Sequence, residues 1–69
     1  MPTEREVLQF AEKLRGLNAP LSLAEIADKF GMDRSEVSEL MWKLVKMELV
    51  KAFFRENSKG ELEAKYVVL

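Results

Sequence analysis

Residues 33–47 read DRSEVSELMWKLVKM, and the way this stretch is read decides the fold. Asp33 is an N-cap residue whose carboxylate can accept from the free N–H groups of a first helical turn. Glu36, three positions on, completes the pattern of a capping box. Behind that start Val37, Leu40, Met41, Leu44 and Met47 recur at helical spacing. At about 100° per residue they fall within roughly 60° of one direction. Trp42 lies about 160° from that direction, near the middle of the face expected to meet water. A Trp in that place is the most informative residue in the chain.

On the N-terminal side, Ser22 with Glu25 is a second capping pattern. It opens a short helix over 23–30 whose inner residues are Leu23, Ile26, Ala27 and Phe30. The small residues Ala24 and Ala27 allow another helix to approach closely. Gly31 closes this helix as a left-handed residue, and only Met32 then separates it from Asp33. Two helices joined by so tight a Gly-containing turn cross steeply, the arrangement of a helix-turn-helix. Further upstream, Thr3 with Glu6 caps a helix over 3–15 with an apolar stripe of Val7, Phe10, Ala11 and Leu14. Leu8 sits at the edge of that stripe, and Gly16 is the expected stop. The connector 17–20 cannot continue the helix, because Pro20 disfavours α geometry at Ala19. Leu21 is expected to be extended, a strand of one or two residues.

After Met47 the period changes from helical to alternating. In 49–56, LVKAFFRE, Val50, Ala52 and Phe54 share one face and Lys51, Phe53 and Arg55 the other. Residues 57–60, NSKG, are turn chemistry, with Gly60 free to take positive φ. Residues 61–69, ELEAKYVVL, return as a strand with Leu62, Ala64, Tyr66 and Val68 alternating against Glu61, Glu63, Lys65, Val67 and Leu69. The outer face of this hairpin is polar near the turn. Near its base, Phe53, Val67 and Leu69 are expected to form an exposed apolar patch.

Composition bounds what such a chain can do. Its 69 residues make one small domain, 1–69, of a size that buries only about 60% of the surface its unfolded chain exposes. A hydrophobic share of 48% and a charged share of 33% are those of a globular protein. There is no cysteine and no histidine, which removes disulfides, thiolate chemistry, the commonest general base and the commonest metal ligand. No nucleophile–base pair, phosphate-cradling Gly loop or metal-ligand cluster stands out, so the reading is not an enzyme, with no cofactor and no metal. Glu61 and Glu63 read as solubilising charge. Without an apolar run long enough for a membrane span or signal core, a cytoplasmic location and no membrane partner are expected. The first helix, with balanced charge on its polar face, packs on a core rather than on a membrane. The net charge of −1 is low for a nucleic-acid-binding domain, which usually carries a basic excess.

The order helix, helix, turn, helix, hairpin carries a family resemblance. Residues 22–54, SLAEIADKFGMDRSEVSELMWKLVKMELVKAFF, resemble the core of winged helix-turn-helix DNA-binding domains of the kind found in small prokaryotic regulators. The matching features are a small-residue helix (AEIA), a Gly-containing turn, a capped helix (SEVSELMWKL) and an LV pair leading into the wing. The resemblance extends over nearly the whole chain, from about Thr3 to Leu69. It implies an α+β winged helix-turn-helix, three helices followed by a two-stranded β-hairpin wing, with a very short extra strand near Leu21. Family members often have Gly just before the hydrophobic pair, where this chain has Glu48, so this turn is expected to be made without a free left-handed residue.

The resemblance also implies a function: double-stranded DNA binding, as a transcriptional regulator, with 33–47 as the recognition helix in the major groove. Carried over by position, the candidate residues are Arg34, Ser35, Ser38, Glu39, Trp42, Lys43 and Lys46. Arg34 suits a guanine or a phosphate, and Ser35 and Ser38 can donate to either. Lys43 and Lys46, with Lys51, Arg55 and Lys59 in the wing, would meet phosphates, and Lys65 could join them across the hairpin. Glu36 and Glu39 dilute this basic character, leaving a net charge of +1 between Arg34 and Met47, so modest affinity is expected. In winged helices that bind left-handed Z-form nucleic acid, an aromatic stands at the place of Trp42. An asparagine and an arginine accompany it there, where this chain has Ser38 and Glu39, which argues against that specialisation. Trp42 itself is open to three readings: a protein or self-association contact, a nucleic-acid contact, or cover by its own wing. The alternative function is therefore a protein-interaction or homodimerisation winged helix without DNA binding, using Trp42, Phe53, Val67 and Leu69.

Overall fold

The computed structural model describes residues 2–17 and 20–69. Three helices, α1 (Glu4–Arg15), α2 (Leu23–Phe30) and α3 (Arg34–Lys46), precede strands β1 (Val50–Glu56) and β2 (Leu62–Val68). The strands form an antiparallel hairpin with Val50 opposite Val68 and Glu56 opposite Leu62. Leu21 adds the expected minimal strand: its N–H and C=O exchange bonds of 3.1 and 2.8 Å with Tyr66. β2 therefore lies between Leu21 and β1. This is the winged helix-turn-helix that the sequence resembles. The extended geometry expected at Ala19 falls outside the described residues.

The helix starts differ in how completely they are capped. At α2 the box is complete: Ser22 Oγ accepts from the Glu25 N–H at 3.2 Å, and Glu25 Oε1 accepts from the Ser22 N–H at 3.0 Å. At α1 Thr3 Oγ1 accepts from the Glu6 N–H, but the Glu6 carboxylate takes the Thr3 hydroxyl rather than its N–H. Asp33 holds the N-cap position of α3 in extended backbone, yet its side chain makes no capping bond. The box expected of Asp33 and Glu36 is thus not formed. Both carboxylates stay exposed, where water competes for them, and their charge still favours the positive end of the helix.

The helix ends supply the tight geometry. Gly31 takes φ 62°, and the following Met32 N–H bonds back to Ala27 O at 3.0 Å. Gly16 does not use its freedom, closing α1 at φ −75°. The end of α3 repeats the Gly31 pattern without glycine. Glu48 sits at φ 60°, its N–H bonds to Val45 O at 3.0 Å, and the Leu49 N–H bonds to Leu44 O at 3.1 Å. These are the paired bonds of a Schellman motif. The turn does use a left-handed residue after all, and that residue is a glutamate.

One core joins the layers. Val7, Phe10, Ala11 and Leu14 of α1, Ile26 and Ala27 of α2, and Val37, Leu40, Met41 and Leu44 of α3 are buried with Leu21 and Val50. Phe10 and Phe30 meet edge to face with centroids 5.6 Å apart. Met47, the last residue of the predicted α3 stripe, is instead 42% exposed.

Candidate nucleic-acid interface

The core side of α3 is defined by Val37, Leu40, Met41 and Leu44, so the opposite side is fixed in space by packing rather than by its own contacts. Arg34, Ser35, Ser38, Glu39, Trp42 and Lys46 are all exposed, while Lys43 is partly covered. At ~100° per residue, Ser35, Ser38, Glu39 and Lys46 lie within roughly 60° of Trp42, and Arg34 and Lys43 flank them at roughly 80–100°. Sequence and structure agree on which residues share this face.

Trp42 is 65% exposed, so the reading in which its own wing covers it is overturned. The physical reason is where the hairpin leaves the body. β1 starts from the C-terminal end of α3 and packs through Val50 near the core, which leaves the outward face of the helix open. Lys46 reaches over the ring, its Nζ standing 5.9 Å from the ring centroid. Such a cation–π contact at an exposed site is worth about 0.5–1 kcal/mol, and it holds a positive charge beside the indole.

In the wing, Lys51, Arg55 and Lys59 are exposed. The Arg55 guanidinium lies 5.6 Å from the centroid of the Phe53 ring. Asn57 Oδ1 organises the turn by accepting from the N–H groups of Lys59 and Glu61 at 2.9 and 3.0 Å. Lys65 departs from its expected role. Its Nζ is 2.6 Å from Glu25 Oε1 and 3.3 Å from Glu63 Oε1, so it ties β2 to the start of α2 instead of standing free for phosphate. Lys65, followed by the Ser22 backbone N–H, holds the Glu25 carboxyl down at about 2. The Lys65 ammonium is pushed up in turn, chiefly by its bond to Glu25. Forty positions separate the two residues, and no local pattern in the sequence signals the pair.

The apolar surface is also placed differently from the expectation. Phe53 and Val67 are half-buried rather than exposed, with Phe53 lying beside Arg55. Leu69 is exposed as expected. The most exposed large apolar side chains of the wing are Phe54 at 74% and Leu62 at 75%, on the other face of the hairpin. Alternation identified that face as inward, but the helices reach only its base. Among the described residues, no group of acidic, His or Cys side chains could hold a metal ion. No helix among them is long and apolar enough to cross a membrane.

Comparison with known proteins agrees with this architecture. The family model for the IclR helix-turn-helix domain matches residues 10–52, from the middle of α1 through the start of β1. No curated protein matches the chain. The matched region contains the entire helix-turn-helix and the exposed face of α3; the wing from Phe53 onward lies beyond it. This is a DNA-binding domain of the transcription-regulator type, and the chain belongs to the IclR helix-turn-helix domain family.

Proposed function

We propose that α3 enters the major groove of double-stranded DNA as the recognition helix, with the wing laid against the neighbouring backbone. The observation that carries this reading is the exposed face of α3, where Trp42, Lys46, Ser35 and Ser38 face solvent together, uncovered by any of the described residues. Arg34, at the first turn, is placed for a base edge or a phosphate, and Ser35 and Ser38 for hydrogen bonds to either. Trp42 contributes apolar contact at the centre, with Lys46 beside it to neutralise a phosphate. Lys43, Lys51, Arg55 and Lys59 supply the remaining backbone charge. Lys65 is left out, because its charge is already engaged by two carboxylates.

The test is a titration of a mixed-sequence duplex of about three helical turns across salt concentrations. Four to six phosphate contacts predict a log–log slope of about −4 to −5. Arg34→Ala and Lys46→Ala should each weaken binding, and a lost phosphate contact lowers the slope by about 1. Lys65→Met should leave the slope unchanged. Absence of binding at about 50 mM salt, where such contacts are still strong, would refute the proposal.

A further inference from the structure

The wing has a backbone edge that none of the other described residues occupies. Among the described residues β1 pairs only with β2, whose far side is taken by Leu21. The ladder shows which groups line the open edge. At its base the Leu69 N–H bonds to Leu49 O at 3.0 Å, and at its tip the Asn57 N–H bonds to Glu61 O at 2.8 Å. Bonded pairs alternate along an antiparallel ladder. Positions 49, 51, 53, 55 and 57 therefore turn their main chain toward β2, while Ala52, Phe54 and Glu56 turn theirs outward. Ala52, Phe54 and Glu56 are also exposed, and the Phe54 ring has Leu62 as its diagonal neighbour on the same face. Neither a proline nor a bulge, two of the usual protections of an open strand, blunts this edge.

We propose that β1 pairs antiparallel with β1 of a second copy of this chain, with Phe54 opposite Phe54, making one four-stranded sheet from two wings. A two-fold axis normal to the sheet keeps each face on its own side, so the strand must be centred on a residue. Every residue-centred register sets outward-pointing groups against one another, and side-chain chemistry separates the three centred nearest the middle of the strand. Centring on Phe53 sets Lys51 opposite Arg55, a like-charge pair that is unfavourable when directly opposed. Centring on Ala52 brings Phe54 opposite Val50, which is already buried in the core at 3% exposure. Centring on Phe54 sets Arg55 opposite Phe53, Ala52 opposite Glu56 and Lys51 opposite Asn57, with no like charges opposed. One face of the new sheet then buries two Phe54 rings flanked by two Leu62 side chains. On the other face Arg55, already beside its own Phe53, meets Phe53 of the second copy. An extended peptide of another protein could use the same edge, but the match of β1 to itself favours the second copy.

The experiment uses the whole chain without DNA, so its outcome is independent of the DNA-binding proposal. Sedimentation from about 5 µM to about 1 mM should show a monomer–dimer equilibrium with a Kd of about 10–100 µM, the weak class expected of a small interface. Over that range, amide exchange at Ala52, Phe54 and Glu56 should slow about tenfold as the dimer fills. Phe54→Lys should be monomeric throughout with unchanged helical circular dichroism, because Phe54 lies outside the core. Ala52→Pro removes an outward N–H and should act likewise. A wild-type chain still monomeric at about 1 mM, with or without capture of an extended peptide, overturns the proposal. A dimer that survives Phe54→Lys, or one whose three edge amides exchange no more slowly, overturns it too.

Discussion

Lys65 links the wing to the helix-turn-helix, and its consequence is a pH dependence. The Glu25 carboxyl, held at about 2 against an ordinary 4.5, contributes stability that is complete above about 4.5 and is lost as pH falls toward 2. Lys65 is shifted upward, so its share is present below its ordinary pKa and lost only in strong alkali. The Glu25 side chain is about half exposed, so solvent screens the pair and the effect is modest. Glu25→Gln separates the two jobs of this residue, since an amide oxygen can still accept from the Ser22 N–H but carries no charge. Between pH 5 and pH 2.5 the wild-type Tm should fall about 2–4 °C further than that of Glu25→Gln. Thermal melts at both pH values check this; equal falls would show that the pair contributes nothing to acid stability.

At the scale of elements, the ends of α2 and α3 are the same turn built from different residues. Gly31 and Glu48 both sit near φ 60° and both precede the back-bonding residue of a Schellman motif. For a side-chain-bearing residue that backbone region costs about 1–2 kcal/mol. Part of the gain from removing it is offset by the greater freedom of glycine in the unfolded chain. Glu48→Gly should therefore stabilise the domain by about 1 kcal/mol and raise Tm by about 4–8 °C. Gly31→Ala should lower stability by a similar amount. A Cβ at Gly31 would meet nothing within 4 Å, so that loss would come from backbone conformation alone. Denaturant melts decide both, and a destabilised Glu48→Gly would mean that the glutamate side chain contributes more than its conformation costs.

These elements also show what was legible in the sequence and why. Ser22 and Glu25 formed their box because both partners are local and one of them is buried. Asp33 and Glu36 carry the same spacing but lie in water, where a pattern specifies a position and not a bond. The faces of β1 and β2 followed from period-two alternation. Alternation reports which side a residue is on and not how far the body extends beneath it, so Phe54 and Leu62 stand clear on the nominally inward face. The sequence of α3 identified most of its exposed face, Met47 excepted, because burial of four regularly spaced residues fixes the rotation of a helix. Lys65 could not be placed in the same way, since its partner Glu25 lies on another element.

For the molecule as a whole, charge is the quantity that separates this domain from a strongly basic DNA binder. Eleven basic residues face twelve acidic ones, and their distribution is uneven. Glu6, Glu12, Glu36 and Glu39 line a groove between α1 and the first turns of α3, with Lys13 as the only amine among the described residues that line it. That groove borders the end of α3 that would approach bases, so the proposed docking works against a local negative field. Glu39 is the member of this group that also belongs to the exposed face around Trp42. Glu39→Gln keeps size and hydrogen bonding while removing one charge, and it should tighten binding to a mixed-sequence duplex about two- to fivefold at 50 mM salt. That range corresponds to about 0.5–1 kcal/mol for one exposed charge near phosphate, and it should shrink as salt screens the repulsion. Glu12→Gln, on α1 and farther from the helix face, should change affinity less. If both substitutions leave affinity unaltered at low salt, the N-terminal half of α3 does not lie near the phosphates, and the proposed docking must be turned so that the wing and the C-terminal end of α3 make the contact.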